Sequence, residues 1–495
     1  MRFPRASGVL LHPTSLPGPH GSGDLGPAAH HFIDWLHGAG QSLWQMLPLG
    51  GIGPGDSPYM SPSAFAGNVL LIDLADLQQR GWLAADAFAA APAADPCRID
   101  YATMVPYRLQ RLAQAAAVFA TAASAADRAA FNDFCAGHAD WLADYSLFMA
   151  LNEAHLGADW STWGDGLARR APHALAAARV QHAPRIAFWA FCQWCFFRQW
   201  AALRGHAHSK GVKIIGDAPI FIAHQSADVW ARPDLFQLDA SGQPSVVAGV
   251  PPDYFSATGQ RWGNPIYRWD KLRETGYRWW ITRIRVNLRL ADFLRLDHFR
   301  GFSAYWEVPA QEPTAMHGRW MPGPGLELFD ALRKELGQLP LVAEDLGFIT
   351  EEVNVLREKT GMAGMRILQF GFASPDSPHL PHRFVAHTVV YTGTHDNDTA
   401  MGWFNSASEL ERDRARMYLG DDCADVAWAL IRAAYTSVAE TAIVPMQDIL
   451  GLGSEARMNR PGAGLDNWSW RLQPGALTSV MSDRLRRLAE ITGRF

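Results

Sequence analysis

Eight short β-like runs, each ending in polar residues, alternate with stretches of helical pattern, and this alternation limits the possible folds more than any other feature of the sequence. The runs lie at residues 8–12, 43–48, 212–217, 292–297, 341–345, 365–370, 388–396 and 441–448. Helical patterns lie between most of them, for example at 28–37, 326–336 and 350–359. Strands that alternate with helices form parallel sheets. Eight such units predict an α/β fold of the (β/α)8 or TIM-barrel type, whose functional side chains lie at the carboxyl ends of the strands.

The second and third runs are separated by far more residues than one crossover helix requires. Most of residues 101–211 have an Ala-rich helical pattern, and residues 185–206 form one helix very rich in aromatic side chains. Gly211 follows that helix as a stop signal. We therefore predict a mostly helical insertion between strands 2 and 3, over residues 55–211.

A second departure from the regular repeat is expected at residues 229–290. Residues 230–267 are rich in Gly, Pro and aromatic residues, which is typical of a functional loop rather than of a linker. We expect this insertion to carry a loop over the active-site cleft. The segment after Asp448 is too short for a separate C-terminal β-domain, so residues 1–495 are predicted to form one catalytic barrel domain.

Composition and charge argue against several classes of protein. The 495 residues are 48% hydrophobic, and 44 Lys and Arg against 49 Asp and Glu give a net charge of −5, a balance that does not favour binding to nucleic acid. No apolar run approaches the roughly 18 residues of a membrane-spanning helix, and no secretory signal is evident. The odd count of 5 cysteines fits a reducing compartment. We therefore expect a soluble, cytoplasmic protein with no nucleic-acid or membrane partner.

Four carboxylates, each following an apolar β-like run, are candidate site residues. These residues are Asp217, Asp297, Glu344 and Asp396. An aspartate at a strand-to-helix turn also caps helices, and for one such residue capping is as good an explanation as catalysis. Four carboxylates at the carboxyl ends of barrel strands would converge on one pocket, which favours a catalytic role.

The chemistry that uses several carboxylates without a metal motif is the cleavage of a glycosidic bond. The sequence contains no His-Glu-x-x-His motif and no calcium-loop spacing. Arg295 lies two residues before Asp297, on the same face of the strand, and would keep that carboxylate ionised. Glu344 follows an apolar run, and partial burial would keep it protonated. These environments predict Asp297 as the nucleophile and Glu344 as the general acid/base.

Two other motifs have simpler explanations. Residues 21–26 match the G-x-G-x-x-G pattern of dinucleotide-binding proteins, but a Pro-rich stretch separates them from the preceding strand, and no acidic residue ends the next one. Cys192 and Cys195 lie inside the aromatic helix, where a free, buried pair is expected rather than a redox or metal site. The 20 Trp residues fit stacking against sugar rings, although most single Trp residues fill cores.

Several long segments resemble one enzyme family. Arg-Leu-Asp-His-Phe-Arg-Gly at 295–301, Ala-Glu-Asp-Leu-Gly at 343–347 and Gly-Thr-His-Asp-Asn at 393–397 strongly resemble the signature segments of amylomaltases. These are 4-α-glucanotransferases, or disproportionating enzymes, of the α-amylase clan. Further segments match in the expected order, at 12–16, 57–59, 216–221, 248–255, 261–265 and 467–471. Residues 85–185 carry the least resemblance.

The resemblance implies a role for each matching residue. Asp297 would be the nucleophile, Glu344 the general acid/base, and Asp396 the group that holds sugar hydroxyls in the transition state. Supporting residues and residues that line the donor subsites would be Arg295, His395, Asp217, Tyr59 and Trp262. Tyr254 and Phe255 would stack on the glucan. None of these positions departs from the family pattern.

The resemblance further implies a retaining 4-α-glucanotransferase that acts on maltooligosaccharides and α-1,4-glucans through a covalent glycosyl-aspartate, with no metal and no organic cofactor. The first alternative is an α-glucan hydrolase, which shares the first half-reaction. A non-catalytic carbohydrate-binding protein is a second, but it would be expected to lack one of Asp297, Glu344 and Asp396. An NAD-dependent oxidoreductase is a third, weakened by the position of the glycines. The oligomeric state and the preferred glucan length stay open.

Overall fold

Eight parallel strands form a barrel at the centre of the structure, a computed structural model that describes residues 5–89, 91–164, 166–252, 256–420, 425–462 and 466–495. In chain order the barrel strands are β1 (Ala6–Leu10), β2 (Leu43–Gln45), β3 (Lys213–Ala218), β6 (Phe293–Leu296), β9 (Leu341–Ala343), β10 (Gly364–Ile367), β11 (Thr388–Tyr391) and β12 (Thr441–Pro445). Each run predicted from the sequence overlaps one of these strands, and the predicted (β/α)8 barrel is confirmed.

The barrel closes between β9 and β10. Neighbouring strands pair in the order β10, β11, β12, β1, β2, β3, β6 and β9. At the seam Val342 pairs in parallel with Ala363, and the Ala343 N–H donates to the Ala363 carbonyl at 2.9 Å. The carboxyl ends of all eight strands therefore lie at one end of the barrel.

Helices surround the barrel, and several of them lie in the chain segment that connects β2 to β3. They are α1 (Pro27–Gly38), α2 (Leu74–Gln79), α3 (Tyr101–Ala122), α4 (Ala125–Gly137), α5 (Ala139–Ala154), α6 (Pro172–Gln181), α7 (Ala183–Ser209), α8 (Ala227–Ala231), α9 (Trp269–Glu274), α10 (Arg278–Leu290), α11 (Leu326–Leu336), α12 (Glu351–Thr360), α13 (Ala400–Ser406), α14 (Glu409–Leu419), α15 (Val426–Thr436), α16 (Met446–Ile449) and α17 (Ser479–Ile491). Among the described residues, none of these helices is both long and apolar enough to cross a membrane.

The aromatic-rich helix predicted at 185–206 is α7, which is a few residues longer at each end. It packs against α3 and α5 and also against α1 and β3, so it links the helical segment to the barrel. Cys192 and Cys195 lie in this helix as buried free thiols, as predicted. Burial raises the pKa of both thiols, and that of Cys195 rises to about 12.

A second, antiparallel sheet stands beside the barrel, and the sequence did not predict it. Its strands are β4 (Val246–Val250), β5 (Gln260–Pro265), β7 (Ala304–Pro309) and β8 (Arg319–Pro322), paired in the order β5, β4, β7 and β8. Part of the stretch expected to be a loop, residues 230–267, therefore forms strands. β5 contains Gly263 and Pro265, and the β4–β5 register is irregular. In these short strands apolar and polar residues do not alternate, so the sequence has no period-2 pattern that would predict them. The position of β4 is determined by its pairing with β7, which is distant in the chain.

Candidate active site

The parallel ladder places Asp217 and Asp297 side by side at the carboxyl end of the barrel. Asp217 on β3 is the register partner of Arg295 on β6. The ladder continues beyond the last strand residue, since the Asp297 N–H donates to the Ala218 carbonyl at 3.0 Å. Residues two apart on a strand share a face. Arg295 and Asp297 therefore point to the same side, as the sequence predicted.

Arg295 joins the two aspartates through its guanidinium group. Nη1 lies 2.7 Å from Oδ2 of Asp217, and Nη2 lies 2.8 Å from Oδ1 of Asp297. Arg295 and Asp217 are buried, whereas the Asp297 side chain is 27% exposed. One buried cation thus contacts both carboxylates, and of the two only Asp297 has an exposed side chain.

Glu344 directly follows β9, and among the described residues two backbone N–H groups hold its carboxyl group. Its own N–H donates to the Leu296 carbonyl at 3.1 Å, which extends the ladder by one residue. Its carboxyl group accepts the N–H of His298 at 2.7 Å and that of Leu346 at 3.0 Å. His298 has φ 50°, a left-handed conformation that is uncommon for a residue with a side chain and that aims its N–H at Glu344.

Tyr59, from the segment after β2, completes the base of the site. Its hydroxyl donates to Oδ2 of Asp217 at 2.7 Å and lies 2.8 Å from Nε2 of His395. A tyrosine hydroxyl has one proton, so the His395 Nε2–H donates to the tyrosine oxygen. Burial lowers the pKa of His395, which keeps the ring neutral. The two rings are stacked, with centroids 5.3 Å apart.

Asp396 lies in the loop after β11 and is held by two residues that sequence reasoning missed. Asn459 Nδ2 donates to Oδ1 of Asp396 at 2.5 Å, and Arg457 Nη2 donates to its backbone carbonyl at 2.6 Å. The Asn459 N–H also donates to the His395 carbonyl at 3.0 Å. Both residues follow the last barrel strand in an irregular segment, where neither periodicity nor a strand end could have indicated them.

Two tryptophans border the site. The Trp262 ring on β5 meets the His298 ring edge-on, with centroids 4.8 Å apart. Trp468 lies 5.6 Å from the Tyr59 ring and 6.0 Å from the His395 ring. Trp468 belongs to a segment that the resemblance singled out, but no role was predicted for it. Tyr254 and Phe255, predicted to stack on the glucan, lie outside the described residues.

The surroundings of Asp297 act on its pKa in opposite directions. Burial raises the pKa of this carboxyl and Arg295 lowers it, while Asp217 and Asp396 raise it further. The result is a pKa of about 6. Arg295 thus favours the ionised form, as the sequence predicted, but burial outweighs it and the pKa lies above its ordinary value.

Burial acts more strongly on Glu344. It raises the pKa of this carboxyl to about 8, because the charge of Arg295 and the two backbone N–H donors only partly offset desolvation and the charge of Asp297. At neutral pH Glu344 is therefore protonated and Asp297 ionised. Two neighbouring carboxyl groups with separated pKa values can serve as an acid and a nucleophile.

Comparison with known proteins agrees with this geometry. Residues 11–478 match the family described as 4-alpha-glucanotransferase. The 4-alpha-glucanotransferase of Thermus thermophilus is 50% identical over 100% of both chains, and that of Synechocystis sp. is 49% identical over 99% of this chain and 98% of the relative. Among solved structures, an amylomaltase from Streptococcus agalactiae in complex with acarbose superposes with a TM-score of 0.96, at 39% identity over 100% of both chains. The chain therefore belongs to the 4-alpha-glucanotransferase family and is an enzyme with that transferase activity.

Proposed function

We propose that the transfer proceeds by double displacement through a covalent glycosyl-Asp297 intermediate, with retention at the anomeric carbon. The donors and acceptors would be maltooligosaccharides and α-1,4-glucans. The observation that supports this most directly is a pair of adjacent carboxyl groups with separated pKa values. One is bonded to Arg295, and the other accepts two backbone N–H groups.

In the first half-reaction Asp297 attacks the anomeric carbon of the donor. Arg295 holds Oδ1, which leaves Oδ2 to form the new C–O bond. The glycosidic C–O bond breaks, its electron pair goes to the leaving oxygen, and Glu344 donates its proton to that oxygen. The shortened glucan then leaves with a free 4-hydroxyl, and Glu344 becomes a carboxylate.

In the second half-reaction an acceptor sugar takes the place of the leaving glucan. Glu344 removes the proton from its 4-hydroxyl, the oxygen attacks the anomeric carbon, and the bond to Asp297 breaks. Glu344 is protonated again and Asp297 is again a carboxylate. Water in the same position would give hydrolysis instead, so the ratio of the two products depends on how well the acceptor is positioned.

The remaining site residues would bind the donor sugar. We propose that Asp396 holds its hydroxyl groups as charge develops on the ring, with Asp217, Tyr59, Arg295 and His395 forming the wall beneath it. Support comes from the continuous hydrogen bonds that join Asp217, Tyr59 and His395, because a preorganised polar wall needs no rearrangement during the reaction.

Trp262 would border a donor subsite, as its contact with His298 supports. We propose that Tyr254 and Phe255 stack on the glucan and exclude water, which would favour transfer over hydrolysis. Replacing either by Ser should then raise the ratio of reducing ends released to glucans transferred. We also propose a cytoplasmic location for the protein. Among the described residues, four cysteines are free, which fits a reducing compartment: Cys97, Cys135, Cys192 and Cys195.

The mechanism is tested by two substitutions at the reacting carboxylates. Asp297→Asn should abolish turnover of maltotriose, because the amide cannot form the glycosyl ester. Glu344→Gln should be severely impaired with maltotriose but partly active with α-glucosyl fluoride, whose leaving group needs no proton. Products are separated by size, and longer glucans together with glucose indicate transfer.

The matched control is Asp292→Asn. Asp292 precedes the first residue of β6, at the opposite end of the strand from Asp297, and is bonded to Arg204 and to the Ile214 N–H. This variant should keep transferase activity within a few-fold. Turnover of Asp297→Asn close to the wild-type rate would show that another group is the nucleophile.

A further inference from the structure

The loop that holds Glu344 ends in an exposed aromatic side chain. Phe348 lies four residues after Glu344, and 71% of its surface is exposed. The same loop supplies the Leu346 N–H that holds the Glu344 carboxyl group. Phe348 therefore lies close in the chain to Glu344, the proposed proton donor. The proposed mechanism gives Phe348 no role.

A buried arginine connects Phe348 to a second exposed aromatic residue. Arg300 lies three residues after Asp297 and is 6% exposed. Its Nη1 donates to the Phe348 carbonyl, and its guanidinium carbon lies 5.8 Å from the centroid of the Phe348 ring. The same carbon lies 3.7 Å from the centroid of the Trp320 ring. One cation thus sets the positions of both rings.

Trp320 is held by more than Arg300. It lies on β8, and its ring packs at 66° against Trp306 on β7, with centroids 5.1 Å apart. Trp306 in turn donates its indole N–H to the Ala315 carbonyl at 2.9 Å. Trp320 nevertheless keeps 37% of its surface exposed. An exposed ring held in this way is preorganised to stack on a ligand, since its rotamer is already fixed.

Single exposed aromatic residues are common on protein surfaces and need no function. Phe495 shows this within the same chain. It is 70% exposed and lies beside the guanidinium of Arg486 at 4.6 Å, but it packs near Gly40, which precedes β2 at the amino end of the barrel. Phe348 differs because it lies in the loop that carries Glu344, and because Arg300, which contacts it, lies three residues after Asp297.

We propose that Phe348 and Trp320 form a stacking platform for the acceptor glucan, beyond the sugar whose 4-hydroxyl receives the glucanosyl unit. This inference rests on the proposed function, in which Glu344 stands at the bond between donor and acceptor. We place the platform on the acceptor side because Phe348 lies in the loop that carries Glu344, the proposed proton donor to the leaving oxygen. Flat aromatic rings bury the apolar face of a sugar ring, and the oxygens at the ring's edge stay in water.

The experiment measures how transfer depends on acceptor length. α-Glucosyl fluoride serves as donor, and glucose, maltose, maltotriose and maltotetraose serve as acceptors at varied concentration. Phe348→Ala should raise the half-saturating concentration of maltotriose and maltotetraose by about three- to tenfold, as expected for the loss of one aromatic contact. That of glucose should change less than twofold, because glucose does not reach the platform.

Three further variants separate stacking from folding. Phe348→Trp should restore the wild-type preference for long acceptors, and Phe495→Ala should leave every acceptor unchanged. Trp320→Ala should act in the same direction as Phe348→Ala. An equal effect of Phe348→Ala on glucose and maltotriose, or an unchanged preference for long acceptors, would overturn the platform.

Failure of the platform and failure of the proposed function give different results. If the wild-type protein transfers glucosyl units to none of these acceptors, the proposed reaction is wrong and the platform falls with it. If the wild-type protein transfers normally and its length dependence survives Phe348→Ala, only the platform is wrong. Thermal unfolding of each variant checks that the fold is intact.

Discussion

The Tyr59 hydroxyl donates to Oδ2 of Asp217 across 2.7 Å, which ties a segment outside the barrel to the end of β3. The same carboxylate oxygen accepts Nη1 of Arg295, also at 2.7 Å. Burial and the charge of Asp217 raise the pKa of Tyr59 well above its ordinary value, so the hydroxyl remains a donor at every working pH. Tyr59 thereby orients Asp217 on one side and accepts from His395 on the other.

Tyr59→Phe should lower kcat/KM for maltotriose by about 10- to 100-fold, because a hydrogen bond to a charged group contributes about 1.5–3 kcal/mol. The loss should lie mainly in kcat if the hydroxyl orients Asp217 and His395 in the transition state. Initial rates of glucose release check this.

The matched control is Tyr435→Phe. Tyr435 is also buried, and its hydroxyl donates to Oε1 of Gln41 at 2.8 Å, away from the strand ends that carry the carboxylates. This variant should lose a similar amount of stability but keep its activity. Equal losses of activity in the two variants would show that Tyr59 acts only through the fold.

The activity should have a bell-shaped dependence on pH. In the proposed mechanism Asp297 attacks as a carboxylate, so kcat/KM should rise through a pH of about 6. Glu344 donates a proton in the same mechanism, so kcat/KM should fall through a pH of about 8. The charge of Asp297 raises the pKa of Glu344, so the alkaline limb depends on both carboxyl groups. With α-glucosyl fluoride, Glu344→Gln should lose the alkaline limb and keep the acid limb. If Glu344→Gln keeps the alkaline limb, a group other than Glu344 causes it.

Glu344 should also make stability depend on pH. Its folded-state pKa of about 8 lies above the ordinary value of 4.5, so the folded protein keeps a proton that the unfolded chain releases. The contribution of this proton to the free energy of unfolding is complete below a pH of about 4.5. It is lost as the pH rises to about 8, by an amount on the order of a few kcal/mol. Glu344→Gln removes this dependence.

The difference in Tm between the wild type and Glu344→Gln should therefore shift in favour of the variant between pH 5 and pH 8. All other groups titrate in both proteins, so the comparison isolates Glu344. Scanning calorimetry at the two pH values measures it. A constant difference in Tm would mean that Glu344 has an ordinary pKa in the folded protein.

The barrel could be predicted from the sequence because each of its strands is a short apolar run with a polar end. This local pattern can be recognised without knowing which strands pair. Asp217, Asp297 and Glu344 were found for the same reason, since each stands at or directly after the end of one run. The antiparallel sheet could not be found this way. Its strand β5 contains no run of apolar residues, and β4 is paired with residues more than fifty positions away.

The residues that support Asp396 were missed for a related reason. Asn459 and Arg457 belong to an irregular segment after β12, and only the folded chain brings them to the β11 loop. Tyr59 also lies in an irregular segment, and the resemblance to a known family predicted it, not periodicity. A side chain that reaches the site from an irregular segment follows no local sequence pattern that predicts its position in the folded protein.

Trp468 also lies in an irregular segment, and the free-energy cost of its backbone conformation can be measured. It is 5% exposed, yet its φ is 61°, in the left-handed region that costs a residue with a side chain about 1–2 kcal/mol. Its N–H donates to the Met458 carbonyl at 2.7 Å, and its carbonyl accepts the Tyr101 hydroxyl at 2.8 Å. These bonds hold the strained conformation that keeps the indole against Tyr59 and His395.

Trp468→Gly and Trp468→Ala both remove the indole, but only glycine relieves the strain. Both variants should lose roughly tenfold or more in kcat/KM for maltotriose, because an unsupported Tyr59 no longer orients Asp217. Trp468→Gly should be more stable than Trp468→Ala by about 1 kcal/mol, although glycine normally destabilises a folded chain relative to alanine. Urea unfolding of the two variants gives this difference directly. If the alanine variant proves the more stable, position 468 is not strained in solution, and the close contact of Trp468 with Tyr59 must have another cause.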